Sequence, residues 1–167
     1  MSIIYKRRSI RKYESKDVSD DMVKEVIRAA MHAPSGCNQR TWQFVVIRNE
    51  EMRKKIAEIH GYAKMALEAP VVIVVCGDLS LEQKCKGFWP QDCSAATENL
   101  LLRATELGLG SVWCGIYPDE ERMKKFSELL GLPEHVKPFS LVCIGYPAET
   151  PEPVDRFEPE KIHYEKW

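Results

Sequence analysis

Apolar and polar residues alternate along the chain with two different periods, which predict helices and strands in turn. Segment 20–33 carries its apolar side chains at helical spacing, at Met22, Val26, Ala29, Ala30 and Ala33. Ser19 is a candidate N-cap for this helix, because its hydroxyl can accept a hydrogen bond from the first helical turn. Pro34 disfavours helical geometry at the preceding residue, so the helix is predicted to end there.

Four segments are rich in β-branched and aromatic residues, and each is predicted to be a strand. They are residues 42–49, 70–76, 111–117 and 138–147. Residues 71–76 are all apolar, which is typical of a central strand covered on both faces. Amphipathic helices are predicted at 50–60 and 119–131, whereas residues 78–90 show no regular pattern.

The longest predicted helix, residues 91–110, is apolar around most of its circumference. A helix of this kind is buried on several sides, by a sheet, by a partner chain or by both. Either Gly108 or Gly110 is expected to end it.

Taken alone, the alternation of helices with four strands predicts a doubly wound parallel sheet. The glycine-rich phosphate loops of such sheets are missing, since no strand is followed by GxGxxG and no Walker A sequence occurs. A phosphate group would therefore have to be held in another way.

A basic cluster lies in residues 2–12, which are predicted to begin with a short helix. Arg7, Arg8 and Arg11 are close enough to converge on one face of a helix, together with Ser9. Guanidinium groups bind phosphate oxygens in pairs, and a hydroxyl adds another donor. A solvated basic terminus and an arm that contacts nucleic acid are the alternatives.

A polar turn at 34–41 separates the first long helix from the first strand. Pro34 stiffens this turn, and Ser35 and Gly36 permit a close approach of the backbone to a flat ligand. Asn38 can donate and accept hydrogen bonds, which suits the edge of a heterocycle. The alternative is an ordinary loop in which Asn38 serves only the turn geometry.

Two further stretches are candidates for ligand contact. The main-chain amides near Cys114 and Gly115, in the third predicted strand, can point at a ligand. Arg156 lies in the proline-rich segment 147–167, where a lone arginine is usually a solvated charge. That segment is nevertheless predicted to dock on another surface. Its apolar anchors are Phe157, Ile162, Tyr164 and Trp167.

Composition narrows the class of protein. The chain has 167 residues, which indicates one domain spanning 1–167, and its formal net charge is −1 with neutral histidines. A net charge this close to zero produces no electrostatic field that would attract nucleic acid or an anionic membrane. No apolar run of about eighteen residues and no signal-peptide pattern occur, so a cytoplasmic location is expected.

The six cysteines are not paired as CxxC, and several lie inside apolar runs. They are predicted to be reduced and mostly buried, and no metal site is expected. The histidines are expected to cap elements or lie on the surface: His32, His60, His135 and His163. No acid–base or nucleophile arrangement stands out, which suits chemistry carried by a bound cofactor.

Four stretches together resemble the nitroreductase family of FMN-dependent oxidoreductases, across essentially the whole chain. They are RRSIRKY, APSGCNQRTWQF, QDCSAATENLLLRATELGLGSVW, and IGYP followed by a late arginine. The resemblance implies an α+β fold with a mixed, mostly antiparallel central sheet flanked by helices, which replaces the parallel sheet predicted above. It also implies an intertwined homodimer in which the C-terminal arm, about residues 147–167, wraps onto the partner.

The resemblance further implies an FMN site at the subunit interface. Arg7, Arg8, Ser9 and Arg11 would hold the phosphate and the ribityl chain, with Arg11 near the pyrimidine edge, and Arg156 would reach the phosphate. The residues implied to approach the flavin ring are Pro34, Ser35, Gly36 and Asn38 from the turn, and Trp113, Cys114 and Gly115 from the third strand.

One motif departs from the family pattern. The family usually has Asn-x-Gln-Pro-Trp, whereas this chain has Arg40 and Thr41 in place of the Gln and Pro. This change affects the predicted contacts of the turn with the acceptor more than its predicted contacts with FMN.

The function implied is transfer of a hydride from NADH or NADPH, through flavin N5, to a flat acceptor such as a nitroaromatic compound, a quinone or a flavin. Arg11 would stabilise negative charge on the reduced flavin, and residues 78–90, with Phe88 and Trp89, would line the acceptor site. One alternative is a flavin-binding or redox-sensing module without NAD(P)H turnover. Another is a protein that binds nucleic acid through its basic N-terminus.

Overall fold

The central sheet of the computed structural model has four strands, β1 (Trp42–Ile47), β2 (Val71–Asp78), β3 (Gly110–Gly115) and β4 (Val136–Gly145). They lie in the order β1-β2-β4-β3, and all three pairs of neighbours are antiparallel. The structure describes residues 2–152 and 154–167. The parallel sheet predicted from alternation is therefore wrong, because periodicity reports which faces of a strand are buried and not the direction in which the strand runs.

Five α-helices accompany the sheet: α1 (Ile3–Lys6), α2 (Asp20–Met31), α3 (Glu50–Ile59), α4 (Trp89–Glu106) and α5 (Glu120–Leu130). The side chains of Ser19, Asn49 and Asp119 each accept a hydrogen bond from a backbone N–H in the first turn of α2, α3 and α5. These caps satisfy donors that have no partner within the helix, so they define where each helix begins.

Strand β2 is buried on both faces, as its unbroken apolar run predicts. Val71, Ile73 and Val75 pack in a cluster with side chains of α2 and α4. Val72 and Val74 pack on the other face, in a cluster that includes residues of α3 and α5. The sheet therefore lies between two helical layers, and β2 lies between β1 and β4 within it.

The N-terminal segment is not a continuous helix, because α1 ends at Lys6. Residues 8–10 instead run along the outer edge of β3, where Ser9 forms a parallel bridge with Ser111 and the Ile10 N–H donates to the Ser111 carbonyl at 3.0 Å. The side chain of Ile10 packs over Gly110, where a Cβ atom would lie 2.7 Å from Ile10 Cγ2. The prediction that the arginines share one helix face is therefore wrong.

Helix α4 is the longest, as predicted, but it begins at Trp89 within the stretch that showed no regular pattern. Gly108, with φ +75°, follows its C-terminus, and the Leu109 N–H donates to the Ala104 carbonyl. A left-handed residue at this position suits glycine. Gly110 belongs to β3.

The C-terminal segment leaves the sheet beside Tyr13, which forms a bridge with Pro147. Beyond it the described residues belong to no α-helix or strand of the sheet, and they include a short 3₁₀ turn at Pro159–Lys161. Its aromatic side chains are exposed, with Phe157 at 71% and Trp167 at 100%. None of the described helices is both long enough and apolar enough to span a membrane.

Candidate functional site

A cleft of about 630 Å³ lies along the free edge of β3. This volume is in the range of small-molecule sites. Four of its lining residues come from β3, namely Val112, Trp113, Cys114 and Gly115, and Arg11 comes from the N-terminal segment. The structure thus brings together four of the residues that the sequence predicts at the flavin ring.

The main chain of β3 faces this cleft. Strand β3 pairs with β4 on one side only, and the Ser111 carbonyl points away from β4 to accept from Ile10. Main-chain groups of alternate residues in a strand point to the same side. The N–H groups of Trp113 and Gly115 therefore point outward and are positioned to donate to a ligand.

The Gly115 carbonyl is held by two side chains from outside the sheet. His60 Nε2 lies 2.8 Å from it, and Arg122 Nη1 donates to it at 3.0 Å. Both side chains also line the cleft. Together they fix the orientation of the peptide that follows Gly115, and hence the end of β3.

His60 is almost completely buried, at 2% exposure, and its Nδ1 has no hydrogen-bond partner among the described residues. Burial lowers its pKa, because the charged imidazolium is poorly solvated there, and the positive charge of Arg122 adds to this effect. The hydrogen bond with Gly115 acts in the opposite direction but is the weaker influence. At neutral pH the ring is therefore neutral and donates from Nε2.

Cys114 lines the same cleft as Arg11 and Arg122. Burial raises the pKa of its thiol, whereas Arg11 and Arg122 partly oppose that rise. The thiol is therefore protonated at neutral pH and is not a nucleophile. Arg122 Nη2 lies 3.0 Å from Asp119 Oδ2, so the positive charge of the cleft comes mainly from Arg11, which favours a ligand that carries or develops negative charge.

A second cleft, of about 820 Å³, contains the other arginines predicted to bind phosphate. Arg7, Arg8 and Arg156 line it, together with Phe157 and Glu98. The guanidinium of Arg8 donates to main-chain carbonyls, and Arg7 Nε lies 3.3 Å from Glu98 Oε1. The basic residues therefore divide between two clefts, with Arg11 in the first.

The polar turn lies at the start of β1, which is the other edge strand of the sheet. Asp92, buried in the first turn of α4, accepts hydrogen bonds from the Gly36 N–H at 2.8 Å and from the Thr41 hydroxyl at 3.2 Å. The Ser35 hydroxyl accepts from the Arg40 N–H at 2.9 Å. These bonds give Thr41 a structural role that proline could not fill, because proline has no hydroxyl.

Three residues of the turn other than glycine lie in the left-handed region: Cys37 at φ 51°, Asn38 at φ 55° and Arg40 at φ 51°. Such geometry costs about 1 kcal/mol or more per residue and is typically found at functional positions. Pro34, Ser35, Gly36 and Asn38 line neither of the two clefts described above. Within one chain, the predicted site residues therefore lie in three separate places.

The prediction that the cysteines are reduced is wrong for one pair. Cys37 and Cys85 are joined by a disulfide, with their Cα atoms 6.0 Å apart. They are 48 positions apart in the chain, so their proximity depends on tertiary structure. The prediction of burial is confirmed for the other cysteines, which are unpaired and buried: Cys76, Cys93, Cys114 and Cys143.

Sequence reasoning missed several residues that shape these regions. His60 was expected to cap an element or to lie on the surface. It follows the last residue of α3, but it is buried, and its contact with Gly115 was not foreseen. Tyr62, Arg122 and Asp92 were not singled out either. The sequence signal for Asp92 was a carboxylate near the start of a helix that is predicted to be apolar around most of its circumference.

Comparison with known proteins identifies one family. The model of the nitroreductase family matches residues 4–61 and 59–146. The chain is 50% identical over 167 residues to a protein of Methanothermobacter thermautotrophicus named as a candidate NADH dehydrogenase/NAD(P)H nitroreductase, with all of this chain and 87% of that protein covered.

Two solved structures have the same fold over nearly the whole chain. One, described as a candidate NADH oxidase from Clostridium acetobutylicum, has a TM-score of 0.95 and 41% identity, with 99% of this chain and 100% of that chain covered. The other, a nitroreductase candidate from Desulfovibrio desulfuricans in complex with FMN, has a TM-score of 0.84 and 30% identity, with coverage of 99% and 95%.

Proposed function

The chain belongs to the nitroreductase family, and we propose that it is an NAD(P)H-dependent oxidoreductase that uses FMN to reduce a flat acceptor. Nitroaromatic compounds, quinones and free flavins are the acceptor classes. The observation that carries this proposal is the cleft along β3, where Arg11 and the outward N–H groups of Trp113 and Gly115 face the same space.

The donors of this cleft fit the flavin ring. The ring of FMN presents carbonyl oxygens and nitrogens along its edge, and these atoms accept hydrogen bonds from main-chain amides. Tyr62 and Trp113 supply aromatic surface to the same cleft. His60 and Arg122 keep the Gly115 carbonyl in place, so the adjacent N–H donors are preorganised.

The phosphate would bind to the separate basic cluster. Arg7, Arg8 and Arg156 provide the guanidinium groups, and Ser9 lies between that cluster and Arg11 in the sequence. Arg156 reaches this cluster from the C-terminal arm, so both ends of the chain contribute to it.

The polar turn would come from a second copy of the chain. Its residues line neither cleft of their own subunit, which supports a site completed across a homodimer interface. Exposed apolar side chains on α1 and on the arm provide surface for such an interface, among them Ile4, Tyr5 and Phe157. Arm exchange would bury the aromatic residues that one chain leaves in solvent.

FMN, when bound, supplies the two-electron chemistry between NAD(P)H and the acceptor. The protein contributes position and electrostatics. Arg11 would stabilise negative charge on the reduced flavin, and the edge of β3 would orient the ring.

The experiment that tests the proposed function is a visible spectrum of the purified protein, followed by anaerobic mixing with NADH and with NADPH. We expect a flavin spectrum, release of FMN on denaturation, and rapid bleaching by at least one nicotinamide. A protein that binds FMN but is not bleached would be a flavin-binding or redox-sensing module. A colourless protein that does not take up added FMN would contradict both.

The first prediction concerns Arg11. Replacing it by alanine removes a positive charge that stabilises the reduced flavin, so the reduction potential should fall by about 30–60 mV, which equals about 1.4–2.8 kcal/mol for two electrons. The measurement is a reductive titration against a reference dye. Arg28→Ala is the matched control, because Arg28 pairs with Glu25 on the surface of α2. Equal potentials for both variants would exclude this role.

A further inference from the structure

The disulfide between Cys37 and Cys85 joins the polar turn to the segment that follows β2, here residues 79–88, and the proposed function does not use it. Cys37 is exposed and Cys85 is half-buried. Small molecules in solvent can therefore reach this disulfide in the single chain.

The other cysteines are protected from such chemistry. Burial raises the pKa of the Cys76 thiol to about 12 and raises the pKa of Cys93 and Cys143 as well. Because the thiolate is the reactive form, these thiols are unreactive at neutral pH. Thiol chemistry in the folded protein is therefore concentrated at the Cys37–Cys85 pair.

The disulfide reinforces a contact that is otherwise non-covalent. The Gln39 side chain accepts from the backbone N–H groups of Lys84 and Cys85 at 2.7 and 3.0 Å and donates to the Cys85 carbonyl at 3.0 Å. Phe88 also packs against Gly36, where an added Cβ atom would lie 3.0 Å from Phe88 Cβ. Cleavage of the S–S bond would leave these weaker interactions to hold the segment.

The surroundings of the pair are basic. Lys84 and Lys86 flank Cys85 and Arg40 follows Cys37 by three positions, and all three basic residues are exposed. The nearby Glu82 carboxylate accepts a hydrogen bond from the Trp89 N–H. A small thiol that carries a negative charge would therefore be attracted to the pair more strongly than a cationic one.

We propose that the Cys37–Cys85 pair is a thiol–disulfide exchange site for small anionic thiols. The thiolate of the first thiol attacks one sulfur and forms a mixed disulfide, while the other cysteine leaves as a thiolate and takes a proton from water. A second thiol molecule then attacks the mixed disulfide. Two molecules of thiol are thereby oxidised to one disulfide, and Cys37 and Cys85 are reduced to thiols.

Exchange at this site removes the covalent link, so residues 82–88 are then held to the turn only by the Gln39 hydrogen bonds and the packing of Phe88 and open more often. Phe88 is 42% exposed and lies in the segment predicted to line the acceptor site. Any effect of this opening on acceptor binding rests on the proposed function. The exchange reaction and the opening of the segment are independent of that function.

The test begins with thiol counts on the native, air-oxidised protein, with and without FMN. The probe is 2-mercaptoethanesulfonate, which is removed before a chromogenic thiol reagent is added. We expect no rapidly reacting thiol before treatment and two after it, with none in Cys37→Ser/Cys85→Ser. Two rapidly reacting thiols that persist in air-oxidised protein, even after treatment with a small disulfide, would overturn the proposal.

Hydrogen–deuterium exchange measures release of the segment. The amides at positions 84 and 85, which donate to the Gln39 side chain, should exchange at least ~10-fold faster after reduction of the wild-type protein, as expected for local opening. In Cys37→Ser/Cys85→Ser they should exchange at that faster rate with or without thiol. Identical exchange in the oxidised and reduced wild-type protein would overturn the release step, even if FMN binds normally.

The preference for anionic thiols has its own control. At low salt, 2-mercaptoethanesulfonate should react several-fold faster than the cationic thiol cysteamine at equal thiolate concentration, and salt should reduce the difference. Lys84→Gln/Lys86→Gln should also reduce it. Equal rates for the two thiols in the wild-type protein would contradict the assignment of ligand class.

Discussion

At the scale of single residues, the Gly115 carbonyl is the point at which distant parts of the chain meet. His60 follows α3 and Arg122 lies in α5, yet both bind this one oxygen at the end of β3. His60 does so as a buried neutral ring whose charged form is disfavoured. Protonation would leave the Nε2 donor in place but would put a poorly solvated charge in this buried position, so the stability of the folded protein depends on pH.

A prediction follows for His60. Its pKa in the folded protein lies below the ordinary value near 6.5, so the unfolded chain binds more protons as the pH falls below that value. The free energy of unfolding should consequently decrease as the pH falls below about 6.5. In His60→Gln this decrease should be smaller, when urea unfolding is measured from about pH 7 to about pH 5. His32→Gln, an exposed control, should behave like the wild type.

Asp92 acts at the same scale on the polar turn. Asp92→Ala removes the acceptor for the Gly36 N–H and leaves the fully buried Thr41 hydroxyl without that partner. The free energy of unfolding should fall by about 2–3 kcal/mol. Thr41→Val, which removes only the donor of the weaker bond, should cost less. Urea denaturation gives both values, and equal losses would contradict this ranking.

At the scale of elements, the N-terminal segment and β3 act as one unit. The bridge between Ser9 and Ser111 and the packing of Ile10 on Gly110 place Arg11 beside the outer edge of the strand. An edge strand with unpaired main-chain groups tends to recruit a partner. Here the N-terminal segment pairs with one end of β3, and the other end faces the cleft.

Gly110→Ala tests this unit. The added methyl would lie within 3 Å of Ile10 Cγ2, Cβ and Cγ1, and overpacking of this kind typically costs about 1–3 kcal/mol. We expect a lower melting temperature and weaker FMN binding, because Arg11 moves with Ile10. Gly61→Ala is the matched control, since an added Cβ there would meet no atom within 4 Å. Unchanged FMN affinity in Gly110→Ala would show that the position of Arg11 does not depend on the packing of Ile10.

At the scale of the whole molecule, the chain leaves an unusual amount of aromatic surface in solvent. Tyr164 is 83% exposed and Trp167 is 100% exposed, both in the C-terminal arm. Large exposed apolar side chains that lie close together mark an interaction surface. We therefore propose that the arm contributes to the dimer rather than to the single chain.

Removal of residues 151–167 should weaken the dimer by at least ~10-fold in dissociation constant, as loss of ~1.4 kcal/mol or more at the interface would produce. Analytical ultracentrifugation measures this constant. Arg156→Gln separates the two roles of the arm, because it should weaken FMN binding without dissociating the dimer. Val46→Ser is a control for loss of an exposed apolar residue on β1. A truncated protein with unchanged association would exclude arm exchange.

Local features of the fold were predictable from the sequence because they depend on residues a few positions apart. The caps at Ser19 and Gly108, the amphipathic helices and the two-sided burial of β2 are of this kind. The predicted site residues, by contrast, lie in three separate places within one chain. The grouping of Arg11 with Trp113, Cys114 and Gly115 agrees with the resemblance stated from the sequence.

Only the tertiary structure decided the direction of the strands, the path of the N-terminal segment and the pairing of Cys37 with Cys85. Each depends on contacts between residues far apart in the chain, such as Ser9 with Ser111 and His60 with Gly115. Hydrophobic periodicity records how much of a segment is buried, but it does not record which distant segment buries it. The sequence by itself therefore determined the elements and the chemical groups, and packing decided which of those groups meet.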